Sequence, residues 1–203
     1  MVTTKPYADM KKRNEIATLV ATVVLLLGAT ESFAGKSYEI PAQERQTSER
    51  VIQSRNRLVQ LFHNGTLKKC LTDRQIAALI LQESRNGEVL VGDGGKALGP
   101  LQVWSVYIAD VNRAFGTDLT NSDCLRDREL SVLVTLAYMN IYANSKQLKR
   151  KPSFEDMARI HNGGPNGHRM KATLGYWKSV SKYYQSLEDW QVQRMVPLLI
   201  QRF

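Results

Sequence analysis

The chain has 203 residues, 43% hydrophobic and 8% aromatic, which suits one globular domain with a sizeable core and excludes a disordered or collagen-like polymer. Its formal charge of +9 at pH 7 points to an acidic partner, such as a cell-wall polymer or an anionic membrane surface. No dense Lys/Arg block with interleaved aromatics is present, so the charge does not argue for nucleic acid.

Lys5, Lys11, Lys12 and Arg13 precede an uncharged apolar run from Ile16 to Ala29. Small residues Ser32 and Ala34 then stand at the −3 and −1 positions of a cut after Ala34. This order predicts a secretory signal over residues 1–34 and a secreted or periplasmic protein. The apolar run is short for a membrane span.

Residues 35–41 read as an extended lead-in. Residues 42–62 read as an amphipathic helix carrying Val51, Ile52, Leu58, Val59 and Leu61, with "HNG" at 63–65 as its stop. Thr72 and Gln75 form a capping box, and Leu71 with Ile76 a hydrophobic staple, for the next helix. Ile76, Leu79, Ile80 and Glu83 follow at i, i+3, i+4 and i+7, which places a carboxylate on the apolar face. "EVLVGDGG" predicts a small hairpin or irregular β segment over 87–98. Pro100 marks the start of a helix running to about residue 115.

Residues 124–145 read as a strong helix, and Ser153 with Asp156 caps a short one over 154–161. One or two terminal helices complete a mostly helical, α+β chain. Cys70 and Cys124 are the cysteines; in an oxidising compartment they can pair in one disulfide, which is the expectation here, and the alternative is two buried thiols. His63, His161 and His168 are scattered without Cys neighbours, so neither a metal site nor a cofactor is expected.

The chemistry is suggested by two carboxylates. A Glu among apolar neighbours has its charged form disfavoured, so Glu83 is expected to keep its proton near neutral pH and to act as a general acid. Asp93 sits ten residues on, among Gly92, Gly94 and Gly95, in a polar turn expected to leave it ionised. Two carboxyl groups with pKa values pushed apart are what a glycosidase needs. Each also has a plain structural reading: a solvated helix end for Glu83, a turn former for Asp93. Glu88 is a rival second carboxylate.

"ES" at 83–84, "GDGGKALGPLQV" at 92–103, "AYMNIY" at 137–142 and "FEDMARIHNGGPNG…ATLGYWKSV" at 154–180 together resemble the invertebrate-type lysozymes, the destabilase family. The first half also resembles soluble lytic transglycosylases and goose-type lysozymes. The resemblance implies a lysozyme-like catalytic domain over 66–184, between an N-terminal helical extension at 35–65 and a C-terminal helical tail at 185–203. It implies a monomer acting on peptidoglycan glycan strands, with a small β-hairpin beside the active-site cleft. It further implies cleavage of the β-1,4 bond between N-acetylmuramic acid and N-acetylglucosamine, with Glu83 as acid and Asp93 as second carboxylate. In this reading His161, Asn162, Gly163 and Gly164 form a loop lining the cleft, Gln102 points into it and Ser84 orients Glu83. Tyr176 and Trp177, at helical spacing, read as core.

The family is rich in disulfides and this chain is not; no Ser-based dyad supports an isopeptidase activity. The basic, apolar tail suits either packing on the domain or transient membrane-surface contact. Alternatives to hydrolysis are a lytic transglycosylase, which dispenses with Asp93, and a non-catalytic wall-binding module.

Overall fold

The computed structural model describes residues 42–203. The expected signal at 1–34 and the lead-in at 35–41 lie outside the described residues. Helix α1, Ala42–His63, ends where Gly65 takes a left-handed φ of 75°. Its Leu58, Leu61 and Phe62 join the core.

Helix α2, Asp73–Ser84, starts on the expected capping box: Thr72 accepts from the Gln75 backbone and Gln75 reaches back. It ends abruptly, because Arg85, Asn86 and Gly87 all have positive φ. The sheet has three short antiparallel strands in sequential order: β1 (Val91–Gly92), β2 (Ala97–Leu98) and β3 (Val103–Trp104). A 3-10 turn at Asp93–Gly95 joins the first two.

The β segment is therefore one strand larger than a hairpin, and Pro100 starts no helix. Gly99 and Gln102 have φ of 82° and 47°, which a right-handed helix forbids. Helix α3 begins only at Ser105 and runs to Phe115.

Helix α4, Arg128–Tyr142, is capped by the Asp127 side chain, which accepts from Leu130 N. The expected start at 124 belongs instead to a 3-10 turn, Asn121–Cys124. Every residue from Leu130 to Met139 is buried. A helix apolar on all sides belongs at the centre, and α4 is packed by α1 and α3. It also meets α6 (Phe154–Gly163) and α9 (Leu198–Gln201).

Between them come α5 (Ser145–Leu148), α7 (Leu174–Ser186) and α8 (Asp189–Met195). The terminal run makes three helices because Leu187 is extended and Pro197 carries no N–H. Helix α2 is flanked by α7 and α8. No helix among the described residues is long and apolar enough to cross a membrane.

The disulfide expectation is corrected: Cys70 and Cys124 are free thiols. Cys70 precedes α2 near Asn140, whereas Cys124 is fully buried with its carbonyl against Gly99. A Cβ at Gly99 would lie 2.2 Å from that carbonyl oxygen, so the Cys124 turn is held against the sheet.

Candidate active site

The stripe Ile76, Leu79 and Ile80 is fully in the core, and one turn later the same face of α2 carries Glu83 to a cleft. Its side chain is only 15% exposed. Burial pushes its pKa from the ordinary 4.5 up to about 7. A hydrogen bond from Tyr176 acts against that rise, and the negative charge of Asp93 adds to it.

Tyr176 Oη donates to Glu83 Oε1 at 2.5 Å. Its expected place in the core therefore covers only the ring; the hydroxyl holds the carboxyl. His161, on the last turn of α6, is 3% exposed at its side chain. Its Nε2 lies 3.1 Å from Leu101 O and 3.5 Å from Glu83 Oε1, and its Nδ1 lies 3.3 Å from Tyr107 Oη.

A carbonyl oxygen only accepts, so Nε2 carries the hydrogen and Nδ1 accepts from Tyr107. Burial pushes His161 down to about 4, with the Leu101 carbonyl acting the other way, so the imidazole is neutral in ordinary buffers.

The cleft encloses about 340 Å³. Glu83, Tyr176 and His161 form one wall, continued by Gln82 and the exposed Asn162. Asp93, Gln102 and Trp104 form the sheet side. Asp93 is exposed at the head of the 3-10 turn, with φ of 47°. Gln102 reaches the cleft, but its amide is engaged: Nε2 donates to Val89 O at 3.2 Å and Gly99 O at 2.9 Å. A Cβ at Gly92 would meet Gln102 Oε1 at 2.1 Å, so a larger residue there would displace the Gln102 side chain.

Other expected site residues are placed elsewhere. Ser84 is fully buried; its hydroxyl donates to Ile80 O and accepts from Gly87 N, closing the end of α2 instead of touching Glu83 or the cleft. The "HNGG" stretch is no open loop. His161, Asn162 and Gly163 are helical, and Gly164 is the C-cap with φ of 73°. Gly163 packs against Thr173, where a Cβ would lie 2.7 Å from Cγ2, and neither glycine lines the cleft.

Trp104 was not singled out by the sequence. It is 39% exposed at the cleft, in the sheet row Gly92–Ala97–Trp104 whose other members are small. An aromatic in a two-residue strand gives no periodic signal.

A buried, proton-holding carboxyl facing an exposed carboxylate across a polar cleft can protonate a leaving oxygen while the second group stabilises positive charge. No protein-family model matches the chain. Invertebrate-type lysozyme 2 of Caenorhabditis elegans is 36% identical over 64 residues, 32% of this chain and 46% of that protein. A lysozyme of Magallana gigas is 40% identical over 57 residues, 28% of this chain and 40% of that protein. The chain thus spans less than half the length of the curated relatives it matches. Among solved structures, the inhibitor-bound lysozyme from Meretrix lusoria aligns with a TM-score of 0.49 and 26% identity, over 57% of this chain and 92% of that one. The sequence relatives bear out the resemblance read from the motifs, and the chain is related to the invertebrate-type lysozymes.

Proposed function

We propose that this protein is a muramidase, hydrolysing the β-1,4 bond between N-acetylmuramic acid and N-acetylglucosamine in peptidoglycan. Glu83 donates its proton to the glycosidic oxygen, and the C–O electron pair leaves with that oxygen. Asp93 faces the developing positive charge at the sugar carbon, as nucleophile or as electrostatic stabiliser. Water then supplies the hydroxyl at that carbon and returns the proton to Glu83. The cleft's amide and aromatic groups suit N-acetylated sugars, and the net positive charge suits an anionic wall. The N-terminal segment is proposed to export the chain.

The observation that carries this reading is the pKa of Glu83, pushed up to about 7 by burial, in a carboxyl that still opens to a polar cleft. The test is the purified protein on isolated peptidoglycan with mass analysis of the fragments. New reducing ends are expected. Terminal 1,6-anhydro sugars instead identify a transglycosylase, and no fragments a binding module. Glu83→Gln is expected to abolish release and leave glycan binding intact. Asp93→Asn is expected to lower hydrolysis by orders of magnitude; nearly full activity would remove Asp93 from the mechanism.

A further inference from the structure

A carboxyl group has two oxygens, and the glycosidase reading alone does not say which one delivers the proton. Two side chains converge on Oε1 of Glu83: Tyr176 Oη at 2.5 Å from α7, and His161 Nε2 at 3.5 Å from α6. Burial, then the neighbouring Glu83, push the Tyr176 phenol well above its usual range, so it keeps its hydrogen and gives the hydrogen bond. The hydrogen on His161 Nε2 goes to the Leu101 carbonyl beside it, which only accepts.

We propose that Tyr176 is a positioning residue that holds Oε1 as the carbonyl oxygen of the Glu83 carboxyl, making Oε2 the atom that hands its proton to the glycosidic oxygen. This rests on the glycosidase reading above. As the proton leaves Oε2, negative charge spreads over both oxygens. The Tyr176 bond, already in place, strengthens as that charge grows. A preorganised donor of this kind acts on the transition state more than on the bound substrate.

The groups that face the carboxyl are Tyr176 from α7, His161 from α6, Tyr107 from α3 and Asp93 from the glycine turn. No Lys or Arg among the described residues lines the cleft. The hydroxyl of Tyr176 is therefore the main group stabilising ionised Glu83, and it sets where the acid loses its proton.

The experiment compares wild type and Tyr176→Phe by pH–rate profile on peptidoglycan and by 13C titration of the Glu83 carboxyl. Tyr176→Phe is expected to lower kcat roughly 100-fold with KM nearly unchanged. It is also expected to raise the alkaline limb, and the 13C midpoint, by about one pH unit. A purely structural role would lower activity without moving the limb, and that outcome overturns the proposal, as does unchanged activity.

3-Fluorotyrosine in place of Tyr176 keeps the ring's packing and makes the hydroxyl a stronger donor. It is expected to move the limb down, and no movement overturns the proposal even if Tyr176→Phe misfolds. Failure of the glycosidase reading shows separately, as a wild-type protein that releases no fragments. The 13C midpoint still rises in Tyr176→Phe if the bond polarises the carboxyl, and an unmoved midpoint overturns the inference.

Discussion

Glu83→Gln should make the protein more stable at neutral and alkaline pH. A carboxyl whose pKa rises from 4.5 to about 7 on folding binds more protons in the folded state between those values. Stability then falls as pH rises through that window. The full displacement corresponds to about 3 kcal/mol. At pH 4 the group is protonated in both states and the cost is absent. Glutamine keeps the shape and an oxygen to accept from Tyr176, so the variant should match wild type near pH 4 and exceed it by up to about 3 kcal/mol at pH 8.

His161 gives an internal control of opposite sign. Its pKa falls from 6.5 to about 4 on folding, so the stability due to its neutral form is present above 6.5 and lost as pH drops toward 4. In wild type the two slopes oppose each other between about 4.5 and 6.5, and the profile should be nearly flat there. In Glu83→Gln only the His161 slope remains, and stability should climb with pH through that window. Urea unfolding at half-unit steps from pH 4 to 8 measures both curves. A difference between the proteins that does not change with pH would refute the claim that burial holds the Glu83 proton.

Trp104→Ala should raise KM for glycan while leaving kcat little changed, because the half-exposed indole lines the sheet side of the cleft and offers a face for a sugar to stack on; Michaelis kinetics separate the two. A thiol reagent should react with both cysteines in denaturant and only slowly in the native protein, and reductant should leave the melting temperature unchanged. Burial pushes the Cys70 thiol up to about 12 and raises Cys124 as well, so little thiolate is present at neutral pH.

The sequence carried the parts of this fold that depend on local chemistry. Thr72 with Gln75 and Ser153 with Asp156 are short-range hydrogen-bond pairs, and both form as their spacing predicts. Glu83 was legible for the same reason, since helical periodicity alone puts it beside Ile76 and Ile80. The rest depends on contacts between distant segments. Gln102 has a left-handed backbone and a side chain bonded to Val89 O and Gly99 O, so the segment after Pro100 turns into the sheet and starts no helix. Tyr176 meets Glu83 from 93 positions away, and nothing in its own neighbourhood distinguishes it from a core tyrosine. His161 was expected in a loop lining the cleft; it stands instead on a helix, with its ring nitrogens bonded to Leu101 O and the Tyr107 hydroxyl, contacts that only the tertiary fold provides.

The missing disulfide raises the question of what steadies α2, and the answer is the C-terminal tail. Leu187, Val192, Met195, Val196 and Ile200 are all buried, so these apolar side chains of the tail pack on the domain. Arg74 bonds Leu187 O and Asp189, and Lys69 Nζ donates to Ile200 O at 2.7 Å. Phe203 stacks on Phe62 with centroids 4.8 Å apart. Arg128 donates to Met195 O at 3.2 Å and to Asn86 O at 2.8 Å, tying the tail to the turn that ends the Glu83 helix.

Five such side chains represent roughly 10 kcal/mol of burial as an upper bound. That is comparable with the whole stability of a domain, about 5–15 kcal/mol. Deleting residues 187–203 should therefore abolish cooperative unfolding, whereas Trp190→Ser and Leu198→Ser, at exposed positions, should change stability by less than about 0.5 kcal/mol. A truncated protein that unfolds cooperatively at the wild-type urea midpoint would show that α2 is held by α7 and the core alone, and that the tail is an appendage.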